Sequence, residues 1–399
     1  MRKIPLAVQL LAAVALGVIA GRLLGPNAAV LGALALVYVK LLKLFAVPLV
    51  FLAIVDTLCS TRIAFRQAGV MIGLSAMNAL VAAGLALGTC RLLPVRRLVD
   101  LDAIKRAIEA APGAQAGAGG AAHAVEAFGS AVIEPLLIDN LLLVIGAAIV
   151  IGLMVRRLRR PRVERLAKRG LAVLMRGLRV LVAVVPWAAF GVVAKVVGTT
   201  GFGALPALGV FVGLVTTCIA LHVLGWYGLL VRVLARRSPR AFLGAASEAL
   251  LTALSTGSSL ATLPVTLRTL DEKLGVSPES ARLAACVGTN LNHDGIILYE
   301  AAAALFVAQI YGVDPGFGAQ LKIVGMSVVA AIGIAGVPEA GLITLALVLG
   351  AVGLPVAAVP LLLPVDWLLG RLRATANVAS DLVVATLLDR LKPPRSPID

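Results

Sequence analysis

Residues 255–264 read STGSSLATLP and stand inside an apolar run, 241–267. Hydroxyl residues, a glycine and a proline at that place interrupt a helix that the flanking sequence would continue. The pattern repeats outward. The apolar run 283–311 is interrupted by Asn290, Asn292, His293, Asp294 and Gly295, and the run 321–352 by GIAGVPEAG at 333–341. A last run, 355–390, carries Asp366, Arg371, Arg373, Asn377 and Asp381. Upstream, near-continuous apolar stretches fill 4–24, 29–58, 67–94, 135–155, 171–198 and 203–234. A helix needs about 20 apolar residues to cross a bilayer core of about 30 Å. The first half therefore reads as plain helix and the second as interrupted helix. Backbone that leaves helical geometry at membrane depth must be covered by protein or line a wet cavity. The breaks thus point to a binding site near the midplane.

Composition agrees. The 399 residues are 60% apolar and 14% charged, against roughly 45–50% and 25% in soluble domains. Mean hydropathy is +1.01. A soluble globule of this size would lack the polar surface to cover itself, and disorder, collagen, coiled coil and a disulfide-knitted domain are excluded. The four cysteines, Cys59, Cys90, Cys218 and Cys286, lie in apolar runs at unrelated spacings and read as small apolar fillers. The start, MRK before an apolar run from Ile4 to Gly21, mimics a signal peptide but reads as an uncleaved first span. The charge balance, 36 basic against 20 acidic residues, is +16. The basic residues sit in short gaps between apolar runs, which reads as the positive-inside rule and not as nucleic-acid binding.

The gap 156–169 carries eight of these, Arg156, Arg157, Arg159, Arg160, Arg162, Arg165, Lys168 and Arg169, and the gap 232–240 carries Arg232, Arg236, Arg237 and Arg240. Arg62 and Arg66 mark another gap, and both ends of the chain are basic. All of these, both termini included, are expected on the cytoplasmic side. That holds if 241–267 and 321–352 are hairpins that enter and leave on one side, the first from the cytoplasm, the second from outside. The exception is the 95–134 connection, with Arg96, Arg97, Lys105 and Arg106, which this topology puts outside. Its Gly/Ala-rich stretch, 112–122, reads as a flexible loop.

Asp366, Arg373, Asn377 and Asp381 are spaced by seven, four and four residues, so they share one helical face. A charge at the bilayer centre costs at least about 2.5–3.5 kcal/mol and wants a partner or a ligand. Arg373 is read as gripping an anionic substrate, with Asn377 and Asp381 holding a cation. The structural alternative is an Arg–Asp pair that fastens two helices. Arg371, roughly half a turn away, faces elsewhere or pairs with an acid. Asn290, Asn292 and Asp294, with freed carbonyls, suit a hard cation that takes oxygen ligands. His293 is either a neutral core histidine or a proton-titrating group beside that cation. Glu300 is a candidate proton carrier or a paired structural carboxylate. His123 and His222 stand alone and receive no role. Ser258-Ser259 and Gly336 to Gly341 each precede a short helical run, whose N-terminal N–H groups and positive dipole end suit a carboxylate; a simple kink is the alternative.

Together these segments resemble the dicarboxylate/amino acid:cation symporter family, which includes the glutamate transporters. The residues that carry the likeness are Ser258 through Thr266, Asn292-His293-Asp294-Gly295 with Leu298-Tyr299-Glu300, Ala335-Gly336-Val337-Pro338, and Asp366 through Asp381. It covers the chain in topology and is specific over about 241–385. The resemblance implies an all-α polytopic membrane protein of eight transmembrane helices plus two re-entrant helical hairpins with inverted repeats. It implies scaffold helices 1–2 in 1–66, helix 3 of the transport domain in 67–94, an extracellular or periplasmic connection in 95–134, and scaffold helices 4–5 in 135–200. Residues 201–399 then form the rest of a mobile transport domain: helix 6, a first hairpin (about 241–270), helix 7 (about 281–311), a second hairpin (about 321–352) and helix 8 (about 355–391).

The implied activity is secondary active symport, not enzymatic catalysis. The expected substrates are C4-dicarboxylates, imported with sodium, protons or both by an elevator-type alternating-access mechanism. The alternative is an acidic amino-acid (aspartate/glutamate) symporter. The protein is expected as a homotrimer among membrane lipids in the plasma (inner) membrane, with no cofactor beyond its coupling ions. Residue by residue, the resemblance puts Arg373 at the substrate carboxylate, with Ser258, Ser259, Gly336, Val337, Pro338, Gly341 and Asn377 lining the substrate. Asn292, Asp294, Asn377 and Asp381 fall at sodium ligands, and Glu300 or His293 at the proton. The sequence also departs from the family. Gly370 stands where amino-acid transporting members place an aspartate for the substrate ammonium, and Gly257 where some members have an arginine. His293 replaces a methionine, Ile296 a threonine and Glu339 a glycine. A sodium-binding hydroxyl pair of the third span aligns with Leu80 and Val81.

Overall fold

The computed structural model describes residues 6–35, 65–93, 95–109, 141–158, 161–287, 292–333 and 341–391, with eight further residues between 38 and 59. Every regular element among them is helical. Helix α1 (Leu6–Leu24) runs into a 3-10 turn (Gly25–Gly32). Then come α2 (Phe65–Leu92), α3 (Leu101–Glu109), α4 (Leu141–Arg157) and α5 (Pro161–Thr200). Helix α6 (Leu205–Ala220) passes through a π turn (Leu221–Trp226) into α7 (Tyr227–Val233). Helices α8 (Pro239–Thr256) and α9 (Ser259–Arg268) are followed by α10 (Pro278–Arg282) and α11 (Asp294–Ile310). Helices α12 (Phe317–Gly333), α13 (Gly341–Ala351) and α14 (Val359–Arg390) complete the chain.

Four helical stretches among the described residues are long and apolar enough to cross a bilayer: Val8–Ala35, Gly69–Leu92, Ala183–Thr200 and Leu205–Val233. Shorter apolar helices run over Phe317–Ala331 and Gly341–Ala351. The basic stretch expected as a gap at 156–169 is corrected. Helix α5 starts at Pro161 and runs unbroken for 40 residues, about 60 Å, roughly twice a bilayer core. Proline suits the first helical position, Arg and Lys are good helix formers, and Lys168 pairs with Glu164 one turn back at 2.8 Å. Helix α5 packs along α1 and its 3-10 turn. Two of its glycines allow this approach: a Cβ at Gly191 or Gly198 would lie 2.2 Å from the carbonyl oxygen of Leu31 or Gly25. In the 95–134 connection, Val95–Leu98 and α3 are helical; the stretch 112–122 lies outside the described residues.

The molecule is organised around α11, which packs against α2, α6, α12, α13 and α14. Every residue from Asp294 to Ala308 is buried. Its run of alanines has no polar face, as a helix enclosed on all sides requires. The interrupted runs become helical pairs. Helices α8 and α9 lie against each other, and the turn between them rests on Gly257 at φ +65°, a left-handed conformation that glycine adopts at no steric cost. Ser258 caps α9 by accepting a hydrogen bond from the Ala261 N–H at 3.3 Å. Glu248 on α8 pairs with Arg268 on α9 and with Lys273 beyond it, which braces the far end of the pair. Pro264, expected among the residues that interrupt the helix, lies inside α9. The helix survives there and then widens into a π turn over Thr269–Lys273. Helices α12 and α13 also pack together; residues 334–340, between them, lie outside the described residues.

Candidate functional site

Helix α14 puts Asp366, Arg373, Asn377 and Asp381 on one buried face, as their spacing requires. Arg373 is 3% exposed. Its Nη1 donates to Asp366 Oδ1 at 2.7 Å, and its guanidinium carbon lies 4.1 Å from the centre of the Tyr299 ring. The Arg–Asp pair is thus internal to one helix and does not fasten two. Helix α13 begins against the same guanidinium: a Cβ at Gly341 would lie 2.5 Å from Nη1 and 2.6 Å from Cζ. A Cβ at Gly370 would lie 3.2 Å from Nη2. Arg371 faces elsewhere. It donates to the Trp367 carbonyl at 2.9 Å, stacks on that indole, and its Cγ approaches Gly257 at the α8–α9 turn. Both helical pairs therefore meet α14 over one turn, residues 371–373. Ser259 is buried beside the capping Ser258.

One turn further along, the helix break before α11 delivers its polar residues to α14. The Gly295 N–H donates to Asn377 Oδ1 at 2.9 Å. A Cβ at Gly295 would lie 2.5 Å from the Arg373 carbonyl oxygen, so only glycine lets the two backbones approach this closely. Asn292 Nδ2 donates to Asp381 Oδ1 at 3.1 Å, and Asn292 Oδ1 accepts from Ser75 on α2. Asp294 Oδ2 accepts from Ser380 at 2.8 Å and from Tyr227. Two carboxylates, two amides and three hydroxyls thus gather in one buried cluster. That donor set suits a hard cation. His293 is buried at the N-cap of α11. Glu300 is fully buried between α12 and α13, beside Ser327 and Thr344. Neither of its oxygens meets hydrogen-bond geometry with a described residue. Asn290, Gly336, Val337, Pro338 and Glu339 lie outside the described residues.

Several site residues were not expected. Ser75 of α2 brings a hydroxyl to Asn292, whereas Leu80, aligned with one of the family's hydroxyls, is 64% exposed. Ser75 and Asn78, one turn apart in an apolar run, carried a legible signal of a shared polar face. His222, given no role, is fully buried with Nε2 3.5 Å from Asp294 Oδ2, and an imidazole inside an apolar run was the mark to follow. Tyr227 and Ser380 carried no such mark, since lone hydroxyls are common in apolar helices.

These features define a multi-pass membrane protein whose interrupted helices enclose a buried arginine and, beside it, a carboxylate-rich site. Residues 6–391 match the Sodium:dicarboxylate symporter family. The chain belongs to this family, which is one of transporters and not of enzymes. It is similar to Excitatory amino acid transporter 1 of Homo sapiens, 39% identical over 217 residues, which cover 53% of this chain and 40% of that protein. It is also similar to Excitatory amino acid transporter 3 of Mus musculus, 40% identical over 202 residues, covering 51% and 39% respectively. The matched part thus spans about two-fifths of these relatives.

Proposed function

We propose that the chain is a secondary active symporter that imports small C4-dicarboxylates coupled to sodium, protons or both. The observation that carries the substrate class is the surroundings of Arg373. Its guanidinium offers bidentate hydrogen bonds to a carboxylate. Gly370, whose missing side chain would touch that guanidinium, supplies no counter-charge for an ammonium. Asp366 is engaged by Arg373 itself. The first turn of α13, beginning at Gly341 beside Arg373, presents N–H donors and a positive dipole end. An ammonium left there without an acceptor would cost several kcal/mol, whereas a second carboxylate finds donors.

Asn292, Asp294, Asn377 and Asp381 hold sodium in this reading, and Glu300 or His293 carries a proton. Transport proceeds by movement of the α2 and 201–399 unit against a scaffold of the remaining spans, in a homotrimer of the plasma (inner) membrane with both termini cytoplasmic. A second reading, import of acidic amino acids, is favoured by the names of the two relatives. It needs an acceptor for the ammonium, and Glu339 is the residue to supply it. Competition of labelled succinate by aspartate, in wild type and in Gly370→Asp, tests the two. Weak competition in wild type and stronger competition in the variant support dicarboxylates. Aspartate competing in wild type as well as malate does would overturn that assignment.

A further inference from the structure

We propose that Tyr227 is a positioning residue for cation binding, which holds the Asp294 carboxylate so that one of its oxygens faces the ion. This rests on the reading of Asp294 as a sodium ligand. The π turn at Leu221–Trp226 is where this positioning originates. Such a turn fits an extra residue into a helix and re-aims the residues after it. Here it turns two successive residues onto two different partners. Trp226 Nε1 donates to Asn78 Oδ1 on α2 at 2.9 Å, and the Tyr227 hydroxyl donates to Asp294 Oδ2 on α11. His222, at the start of the same turn, packs its ring edge-on against Tyr227, with centres 4.5 Å apart at 63°.

The two oxygens of Asp294 are treated unequally. Oδ2 takes hydroxyl donors from both Tyr227 and Ser380, and His222 Nε2 stands 3.5 Å away. Oδ1 is buried and accepts no hydrogen bond among the described residues. A buried carboxylate oxygen left without a donor is costly unless something positive meets it. Donors gathered on one oxygen fix the rotation of the carboxylate and leave the other for a ligand. Ser75, one turn before Asn78 on α2, holds Asn292 in a similar way. The π turn therefore ties α2 and α11 together around the cation ligands, through residues that need not touch the ion.

The test uses the purified full-length chain and sodium alone as probe, read as the rise in thermal stability on titration with sodium against choline at constant ionic strength. Tyr227→Phe keeps the ring and its packing on His222 and removes only the hydroxyl. Loss of an orienting partner typically weakens metal affinity by about 10–100-fold. The expected result is a sodium midpoint raised about tenfold, with stability in choline unchanged. A purely structural role would lower stability in choline and leave the midpoint where it was, which would overturn the proposal. Ser380→Ala removes the other donor and carries the same test should Tyr227→Phe fail to assemble. Asp294→Asn separates the two levels. If it weakens sodium binding while both hydroxyl variants titrate as wild type, the positioning role alone falls. If Asp294→Asn also titrates as wild type, Asp294 is no sodium ligand and the proposal falls with that reading.

Discussion

Arg373 is the residue on which substrate binding turns in the proposed function. It is enclosed by Asp366, the Tyr299 ring and the start of α13, so its guanidinium is held in one place before any substrate arrives. Its planar fork matches a carboxylate with two parallel hydrogen bonds, and an ammonium on a flexible stem does not. Removing one partner of a buried charged pair costs about 2–5 kcal/mol, and 1.4 kcal/mol is about a tenfold change in affinity. Arg373→Lys and Arg373→Ala are therefore expected to weaken dicarboxylate binding by well over tenfold while the protein still assembles. Binding of labelled succinate to the purified variants checks this, with size-exclusion profiles as the control for assembly. Unchanged affinity in a well-assembled Arg373→Ala would remove Arg373 from the site.

The α8–α9 pair meets α14 at Arg371 and the α12–α13 pair meets it at Arg373, and the closest approach is that of α13. A methyl group at position 341 would stand 2.5–2.8 Å from three guanidinium atoms, closer than van der Waals contact permits. Either the arginine or the start of α13 must give way. Alanine is the better helix former by about 1 kcal/mol, so any loss cannot come from propensity. Gly341→Ala is expected to weaken substrate affinity at least tenfold and to leave stability without substrate near wild type, read by succinate binding and a thermal melt. Intact affinity would mean that α13 does not border the substrate. At this scale the sequence was legible where the chemistry is local. The 7-4-4 spacing on α14 and the breaks at 255–259 and 290–295 are periodicity read within one helix. Ser75 meets Asn292 across 217 residues and Tyr227 meets Asp294 across 67, and no periodicity within a span reports on a partner in another. The π turn that aims Tyr227 is likewise invisible to a 3.6-residue count. Helix α5 was misread in length because its charged first half lacks the apolar signal that marked its second half.

For the whole molecule, the proposed function raises the question of how ion gradients would reach the substrate. Asp294 and Asp381 are both buried, in one cluster with Asn292, Asn377 and hydroxyls. Two carboxylates in such a cluster of oxygen donors suit a bound cation. Glu300 follows Tyr299 on α11 and is buried beside Ser327 of α12 and Thr344 of α13, the helix that starts against Arg373. Buried carboxylates in these two places suit two coupling species, a sodium ion held through Asn377 and Asp381 and a proton on Glu300 or His293. Uptake into proteoliposomes should then respond to an imposed sodium gradient and, separately, to an imposed pH gradient. Asp381→Asn halves the carboxylate count of the cation site and should abolish the sodium response. Glu300→Gln mimics a permanently protonated carboxyl, so exchange of substrate across the membrane should persist while the response to pH is lost. Transport indifferent to sodium, with no loss in Asp381→Asn, would remove the sodium coupling. An intact pH response in Glu300→Gln would exclude Glu300 as the carrier and leave His293, at the N-cap of the same helix, as the group to substitute next.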